Sequence, residues 1–409
     1  MSTRRVAAAA LLAGLALLSS PLAWAQADAA GSGLLEFSAE EQQRILRHGP
    51  WPPPAAKDAG NRLSGNPQAI ALGQQLFFDP RLSGDGNMAC ATCHIPAKAF
   101  TDGQDRAMGR VRLDRNTPSV WNAGHGRWQA WDGAADSLWS QSIRALTDPR
   151  EMASGPKQVA QAISGDAELS CRWRQLFGTP PDQDAQATLV NAAKAIGAFT
   201  ATLVSGPTSF DRFRDALAKG DKRQAARYPL DAQRGLRLFV GRGQCMVCHV
   251  GPQFSNGEFG DTGLPFFIRP GEVDAGRHGG ILALRASAYN LLSPWADGGG
   301  DSHAIPTRHV DLQHRNFGEF KVPGLRNVAQ TAPYMHAGQL PTLEAVVQHY
   351  SNLNLERLHA DGEQILKPLN LSAAESADLV AFLKTLSDPR AERWQPAASK
   401  PCVTVAKKR

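Results

Sequence analysis

Apolar and polar positions along this chain follow the period of helices and only sparsely that of strands. Apolar residues between positions 70 and 77 share one helix face, behind a start signal at Asn66-Pro67. A late helix is predicted to open at a capping box formed by Ser372 and Glu375, and the leucines at 379, 383 and 386 lie on its apolar face. The pattern therefore predicts a mostly helical protein.

An uninterrupted apolar run lies near the start of the chain. Arg4 and Arg5 precede this run, which covers positions 6–18, and Ala23 and Ala25 are the small residues of a cleavage site. Together they predict a secretory signal peptide over 1–25. The run is too short to anchor the chain in a bilayer, and no later segment comes close to a membrane span. We expect an exported protein, periplasmic if the source is bacterial.

Composition narrows the class of protein. A chain of 409 residues is long enough for two domains, or three. Apolar residues make up 42% and charged residues 20%, which excludes a disordered or fibrous chain. The net charge of +6 is mild, and the basic run at 407–409 is typical of a solvated tail, so we expect no nucleic-acid partner.

Four of the six cysteines fall in one pattern, C-x-x-C-H, which is the attachment motif of c-type haem. The two segments are Cys90-Ala-Thr-Cys93-His94 and Cys245-Met-Val-Cys248-His249. In this motif the thiols, one helical turn apart, form thioethers with the haem, and the adjacent imidazole ligates the iron. We predict two covalently bound c-type haems.

Two other kinds of site use C-x-x-C pairs. A zinc ribbon would need its two pairs much closer together in the sequence. A thioredoxin-like motif would not carry histidine after the second cysteine twice. Cys171 and Cys402 remain outside the motifs; they fit a disulfide in an oxidising compartment, and two isolated buried thiols fit nearly as well.

The two motifs belong to a duplicated unit. A predicted helix ending in Leu-Phe precedes each of them, at 73–77 and 235–239, and the second helix has its start signal at Asp231. Loops rich in Gly and Pro fill 251–320, a length typical of functional loops such as those that wrap a cofactor. We predict an all-α fold of two cytochrome c-like domains, over 26–225 and 226–390, each carrying one haem, with a tail over 391–409.

Six further segments surround these motifs. They are Phe78-Asp-Pro-Arg-Leu-Ser83, Arg115-Asn-Thr-Pro-Ser119, Trp131-Asp-Gly133, Glu151-Met152, Lys321-Val-Pro-Gly-Leu-Arg-Asn-Val328 and Thr331-Ala-Pro-Tyr-Met-His336. With the haem motifs, they make the chain resemble the bacterial dihaem cytochrome c peroxidase family, which includes MauG. The resemblance runs from about residue 66 to residue 386.

The resemblance implies a role for particular residues. Peroxide would react at the His94 haem, and the His249 haem would handle electrons. Glu151 would be the distal acid-base group, Gln141 its polar companion, and Trp131 an electron relay between the haems. From the residues alone, Glu151 also fits a solvated loop glutamate and Trp131 an ordinary core tryptophan. A partly buried carboxyl with a raised pKa can nevertheless move the proton that peroxide cleavage requires.

The resemblance also implies a calcium ion near both haems. Its ligands would be the side chain of Asn116 and the carbonyl oxygens of Thr331 and Pro333. A set of hard oxygen ligands suits calcium, although one asparagine is a weak signal unaided.

Three positions depart from the typical peroxidases of that family. Arg110 occupies the place of a histidine that closes the first iron, so we expect that iron to be open. Ala145 replaces a proline of the peroxide pocket and could widen it. Tyr350 stands where methionine usually ligates the second iron, and MauG-type members also have tyrosine at this position. His349 and Met335 are rival ligands. A phenolate favours ferric iron, so such a haem would store oxidising equivalents.

We therefore predict a periplasmic dihaem oxidoreductase that reduces hydrogen peroxide at the N-terminal haem, with electrons relayed through the C-terminal haem. The donor would be a small redox protein, either a cytochrome c or a cupredoxin. A MauG-like oxidase that modifies a partner protein is one alternative, and a non-enzymatic dihaem electron carrier is another. A haem-based sensor is a remoter possibility.

Overall fold

The computed structural model describes residues 33–402, except residues 56, 266, 299–301, 359, 363–364 and 399. Within this part the chain is mostly helical with two short strand pairs, which confirms the all-α prediction in coarser form. The predicted signal peptide over 1–25 and the last residues, 403–409, lie outside the described residues. No helix of the described part is long and apolar enough to cross a membrane.

The α-helices of the described residues occur along the whole chain. In order they are α1 Ala39–Leu46, α2 Pro67–Phe77, α3 Cys90–Cys93, α4 Leu138–Thr147, α5 Pro156–Ser164, α6 Ala167–Phe177, α7 Ala185–Thr200, α8 Ser209–Ala218, α9 Lys222–Ala225, α10 Leu230–Val240, α11 Gly276–Ala286, α12 Ile305–Arg308, α13 Leu343–Ser351 and α14 Ala373–Lys384.

Shorter elements connect these helices. Single 3₁₀ turns occur at Pro80–Leu82, Pro96–Lys98, Ala123–His125, Cys245–Val247, Ser302–Ala304, His314–Asn316, Val328–Gln330, Leu355–Arg357 and Ala391–Arg393. The strands are β1 Phe259–Gly260, β2 Phe267–Arg269, β3 Glu272–Val273 and β4 Phe320–Lys321. β1 pairs antiparallel with β4, and β2 with β3, so strands contribute only local links between loops.

Local sequence signals explain where most helices begin. The Asn66 side chain accepts hydrogen bonds from the first turn of α2, and Ser372 and Glu375 form the predicted capping box of α14. The predicted start of α10 at Asp231 is wrong by one position, because the helix begins at Leu230. Asp231 lies in the first turn instead, where its negative charge favours the helix dipole.

The duplication seen in the sequence recurs in the packing. The helix before each haem motif crosses a later helix, α2 on α7 and α10 on α14. Both crossings are close because each has a glycine at its centre. A β-carbon added at Gly73 would lie 1.9 Å from the carbonyl oxygen of Ala195, and one at Gly235 would lie 1.9 Å from that of Asp378. Only glycine permits these approaches.

Two hydrophobic cores result. The first is built from residues between Leu63 and Leu203 and includes Trp139 and Phe199. The second is built mainly from α8, α10, α13 and α14, and it also takes in Phe37 and Ile45. Parts of the predicted N-terminal domain, at 37–45 and 210–216, therefore pack into the second core. The domain boundary near residue 225 stays a prediction.

The tail that follows α14 crosses from one core to the other. Leu386 is buried in the second core, whereas Trp394 packs against the first. The described part of the tail ends at Cys402, which forms a disulfide with Cys171 of α6 across a sequence separation of 231 residues. The sequence had left this pairing open, and the structure decides it in favour of the disulfide.

Candidate functional site

The first C-x-x-C-H motif forms the short helix α3, which places its two thiols one turn apart. Neither Cys90 nor Cys93 is in a disulfide. The Nδ1 atom of His94 lies 3.1 Å from the carbonyl oxygen of Phe100. A carbonyl can only accept, so Nδ1 carries the proton and Nε2 is the nitrogen available to a metal.

The second motif repeats this arrangement. Cys245 and Cys248 are also outside any disulfide. Nδ1 of His249 donates to the carbonyl of Phe254 at 2.9 Å. Phe100 and Phe254 share a left-handed backbone, with φ of +58° and +55°. Two oriented imidazoles beside paired thiols fit two c-type haems, as the sequence predicts.

Glu151 lies in a tight turn that folds back on the end of α4. The Glu151 N–H donates to the carbonyl of Asp148 at 3.1 Å, and the next N–H, of Met152, donates to that of Ala145 at 3.3 Å. Burial raises the pKa of Glu151, and the charge of Asp148 adds to this, while Arg144 and Arg150 oppose it. A carboxyl of raised pKa is suited to proton transfer near neutral pH.

The same turn lies beside the first motif. Burial raises the pKa of the Cys90 thiol to about 12, and the nearby charge of Glu151 contributes in the same direction. Gln141, on α4, has a buried side-chain oxygen without any hydrogen-bond partner among the described residues. A buried polar atom left open in this way fits a ligand-binding pocket. The structure thus brings Glu151 to the first motif, with Gln141 on the adjoining helix.

Arg110 is engaged with Asp85 and with the Glu151 turn. Its guanidinium forms an ion pair with Asp85 at 2.6 Å, and its own N–H donates to the carbonyl of Arg150 at 2.8 Å. The loop that would carry a closing histidine is therefore fixed against the Glu151 turn by its backbone. This agrees with an open first site.

Trp131 joins the two halves of the molecule. Its indole N–H donates to the carbonyl of Asn116 at 2.9 Å, and its carbonyl accepts from the N–H of Lys321 at 2.7 Å. Asn116 precedes α4, whereas Lys321 lies on β4 beyond the second motif. Trp131 thus links a segment that follows the first motif with a segment that follows the second.

A buried charged network surrounds Trp131, and sequence reasoning missed it. Arg115 forms ion pairs with Asp132 at 2.6 Å and with Asp274 at 2.7 Å. Burial lowers the pKa of Lys321 to about 8, although the charge of Asp132 opposes the change. Arg115 precedes Asn116 and Asp132 follows Trp131, and both of these neighbours are site residues predicted from the sequence. Nothing in the sequence connects them with Asp274.

The three predicted calcium ligands lie on neighbouring segments. The Asn116 N–H donates to the carbonyl of His336 at 2.8 Å, and its side-chain amide donates to that of Gln104 at 2.6 Å, which leaves its oxygen open. Thr331 and Pro333 lie just before His336. The described residues contain no group of three or more His, Cys, Asp or Glu side chains able to hold a metal ion. A calcium ion here would depend on amide and carbonyl oxygens.

Tyr350 lies on α13 beside the second motif. Burial raises its pKa, and neighbouring Cys245, Cys248 and Asp261 add to the shift. Its rival His349 is engaged elsewhere, since its Nε2 lies 2.8 Å from the carbonyl oxygen of Thr262. Met335, the other rival, lies in the loop of Thr331 and Pro333 with a left-handed backbone.

Comparison with known proteins decides the family. A family model described as di-haem cytochrome c peroxidase matches residues 67–220. The methylamine utilization protein MauG of Methylorubrum extorquens is 36% identical over 322 residues, which cover 78% of each chain. The chain belongs to the dihaem cytochrome c peroxidase/MauG family. It is therefore a haem-containing oxidoreductase of the peroxidase type that uses hydrogen peroxide.

Other relatives agree with this membership. The cytochrome-c peroxidase IdrP2 of a Pseudomonas species is 32% identical over 359 residues, covering 85% of this chain and 87% of that one. A crystal structure of a MauG-like protein associated with microbial copper homeostasis superposes with a TM-score of 0.62 at 28% identity. That match covers 84% of this chain and 96% of the other. Peroxidases and MauG-like proteins thus both occur among the relatives.

Proposed function

We propose that this chain is a periplasmic peroxidase that reduces hydrogen peroxide at the His94 haem site and draws electrons through the His249 haem site. The observation that carries the proposal is a difference between two otherwise matched sites. At the first, the half-buried carboxyl of Glu151, whose pKa is raised by burial, lies beside Cys90, and the amide oxygen of Gln141 on the adjoining helix has no hydrogen-bond partner among the described residues. The second has Tyr350 beside its cysteines. This asymmetry supports peroxide reduction at the first site.

The residues present fit two covalent haems. The cysteines of each motif would form thioethers, and His94 and His249 would ligate the irons through Nε2. When bound, the haem irons supply the redox chemistry. The carbonyls of Phe100 and Phe254 fix the ring orientation of the two histidines and increase their basicity.

Glu151 would move the proton at the first site. Since its pKa is raised, the carboxyl can take a proton from one oxygen of peroxide and return it to the other near neutral pH. The open oxygen of Gln141 would accept a hydrogen bond from the peroxide O–H and orient it. Trp131, in contact with both halves of the chain, would carry electrons between the sites.

A MauG-like oxidase that modifies a partner protein is the second candidate. Tyr350 beside the second motif favours it. Arg110 favours it too, because this arginine, paired with Asp85, stands where a closing histidine would be in a typical peroxidase. In a peroxidase the electrons would come from a cytochrome c or a cupredoxin. In the MauG-like case they would come from a side chain of the partner.

The first test concerns haem content and reactivity. The mature chain, from Gln26, is expected to carry two covalent haems by intact mass, and the Cys245→Ser/Cys248→Ser variant one. Because Arg110 stands where a closing histidine is expected, peroxide should shift the Soret band of the fully ferric protein without prior reduction. A ferric protein with two haems that is inert to peroxide would instead identify an electron carrier.

Removal of calcium is the second test. The proposed ligands, the Asn116 side chain and the carbonyls of Thr331 and Pro333, belong to segments on either side of Trp131. We expect a calcium chelator to lower the rate of peroxide turnover and alter the haem spectra, and added calcium to restore both. Asn116→Ala should weaken calcium binding at least tenfold by titration, because it removes the only side-chain ligand. A chelated protein free of calcium that behaves as before would exclude the metal.

A further inference from the structure

Each end of the described chain packs against the core that is built mainly from the other half of the chain. The N-terminal segment packs into the second core, where the ring of His48 stacks on Phe254 with centroids 4.5 Å apart. The C-terminal tail packs on the first core, where Trp394 meets the edge of Phe100 at 5.2 Å. Phe100 and Phe254 are the residues whose carbonyls hold His94 and His249. Each of these phenylalanines therefore packs against an aromatic side chain that is distant in the sequence, in addition to the rings of its own core.

Phe100 needs such support more than Phe254 does. Ala99 and Phe100 are consecutive left-handed residues, with φ of +51° and +58°, and neither is glycine. This conformation is unfavourable and persists only where the surrounding structure enforces it, here by packing and by the hydrogen bonds of Phe100 N–H to Ile95 and of Ser119 to the Ala99 carbonyl. Trp394 covers Phe100 from outside the first core and also stacks on Phe78, with centroids 6.3 Å apart.

The tail is anchored at several points beyond Trp394. Gln74 of α2 forms two hydrogen bonds with the backbone of Ala397, at 2.7 and 3.1 Å. Glu168 of α6 accepts from the N–H of Cys402 at 2.8 Å. The Cys171–Cys402 disulfide fixes the tail covalently at Cys402. Since the tail beyond Trp394 is largely exposed, these bonds, and not burial, hold it in place.

We propose that Trp394 is a positioning residue for His94, held in place by the Cys171–Cys402 disulfide. By fixing the strained Phe100 backbone, it keeps the carbonyl oxygen in line with Nδ1–H of His94. That hydrogen bond increases the basicity of the imidazole and so favours ferric iron. The inference rests on the proposed role of His94 as an iron ligand.

The test measures the reduction potentials of both haems in the intact protein. In Trp394→Ala the hydrogen bond to His94 weakens, so the equilibrium at the first haem should shift about tenfold toward ferrous iron, or 59 mV upward for one electron. The second haem should keep its potential and is the internal control. Trp394→Phe should restore most of the wild-type value. Trp295→Ala is the matched control, because Trp295 packs on the same core without a ring contact to Phe100.

The Cys171→Ser/Cys402→Ser variant removes the disulfide that holds the tail without changing Trp394. This variant should raise the reduction potential of the first haem, but by less than Trp394→Ala does. It provides the test if Trp394→Ala does not fold. Unchanged potentials, or equal shifts at both haems, would overturn the inference. A wild-type protein with fewer than two covalent haems would overturn the proposed function instead, so the two failures are distinguishable.

Discussion

Glu151→Gln is expected to slow the reaction with peroxide by about 10²- to 10⁴-fold while haem content and the resting spectrum stay as in the wild type. Glutamine has nearly the same size and shape as glutamate but cannot accept a proton. The substitution removes the charge of Glu151, which Arg144 and Arg150 stabilise, but keeps the volume of the side chain, so the fold should be retained. Stopped-flow absorbance in the Soret region measures the rate directly.

The dependence of the reaction rate on pH tests the same role of Glu151. Glu151 must be ionised to take a proton, so the rate should fall as the pH drops through its pKa. Because burial raises that pKa, the fall should begin at a higher pH than for an ordinary glutamate. Asp148→Asn removes a charge that raises the pKa further, and the profile should move to lower pH without loss of the maximal rate. A Glu151→Gln protein that reacts at the wild-type rate would show that Glu151 is only a loop residue without a role in proton transfer.

Features set by neighbouring residues were predictable from the sequence. Helix caps act over three residues, and the haem motif over five, so the start of α2 and the sites of both haem motifs follow from local patterns. The misplaced start of α10 shows the limit of such signals. Aspartate stabilises both the cap and the first turn of a helix, and the sequence cannot separate the two.

Contacts between distant segments were not predictable. Arg115 meets Asp274 across 159 residues, and Trp394 reaches Phe100 across a longer span, with no pattern in the sequence to pair them. The same reason left Cys171 and Cys402 undecided, since spacing says nothing about proximity when the fold brings the partners together. The first two of these contacts lie next to Asn116 and Phe100, which hydrogen-bond Trp131 and His94.

Tyr350→Met is expected to raise the reduction potential of the second haem by about 100 mV or more, because axial ligands alone move haem potentials over several hundred millivolts. A phenolate is anionic and stabilises ferric iron, whereas methionine is neutral and favours the ferrous state. Burial raises the pKa of the free phenol, so only a bound cation would hold Tyr350 as phenolate near neutral pH.

Tyr350→Phe separates ligation from packing, because phenylalanine keeps the ring and loses only the hydroxyl. If Tyr350 ligates the iron, the spectrum of the second haem should change and its potential should rise. His349→Gln is the matched control on the same helix and should leave both unchanged, since the Nε2 atom of His349 is already engaged with Thr262. A Tyr350→Phe protein with wild-type spectrum and potential would place another group, such as Met335, on that iron. The second site would then accept electrons as in an ordinary peroxidase, and the case for a MauG-like oxidase would lose its main support.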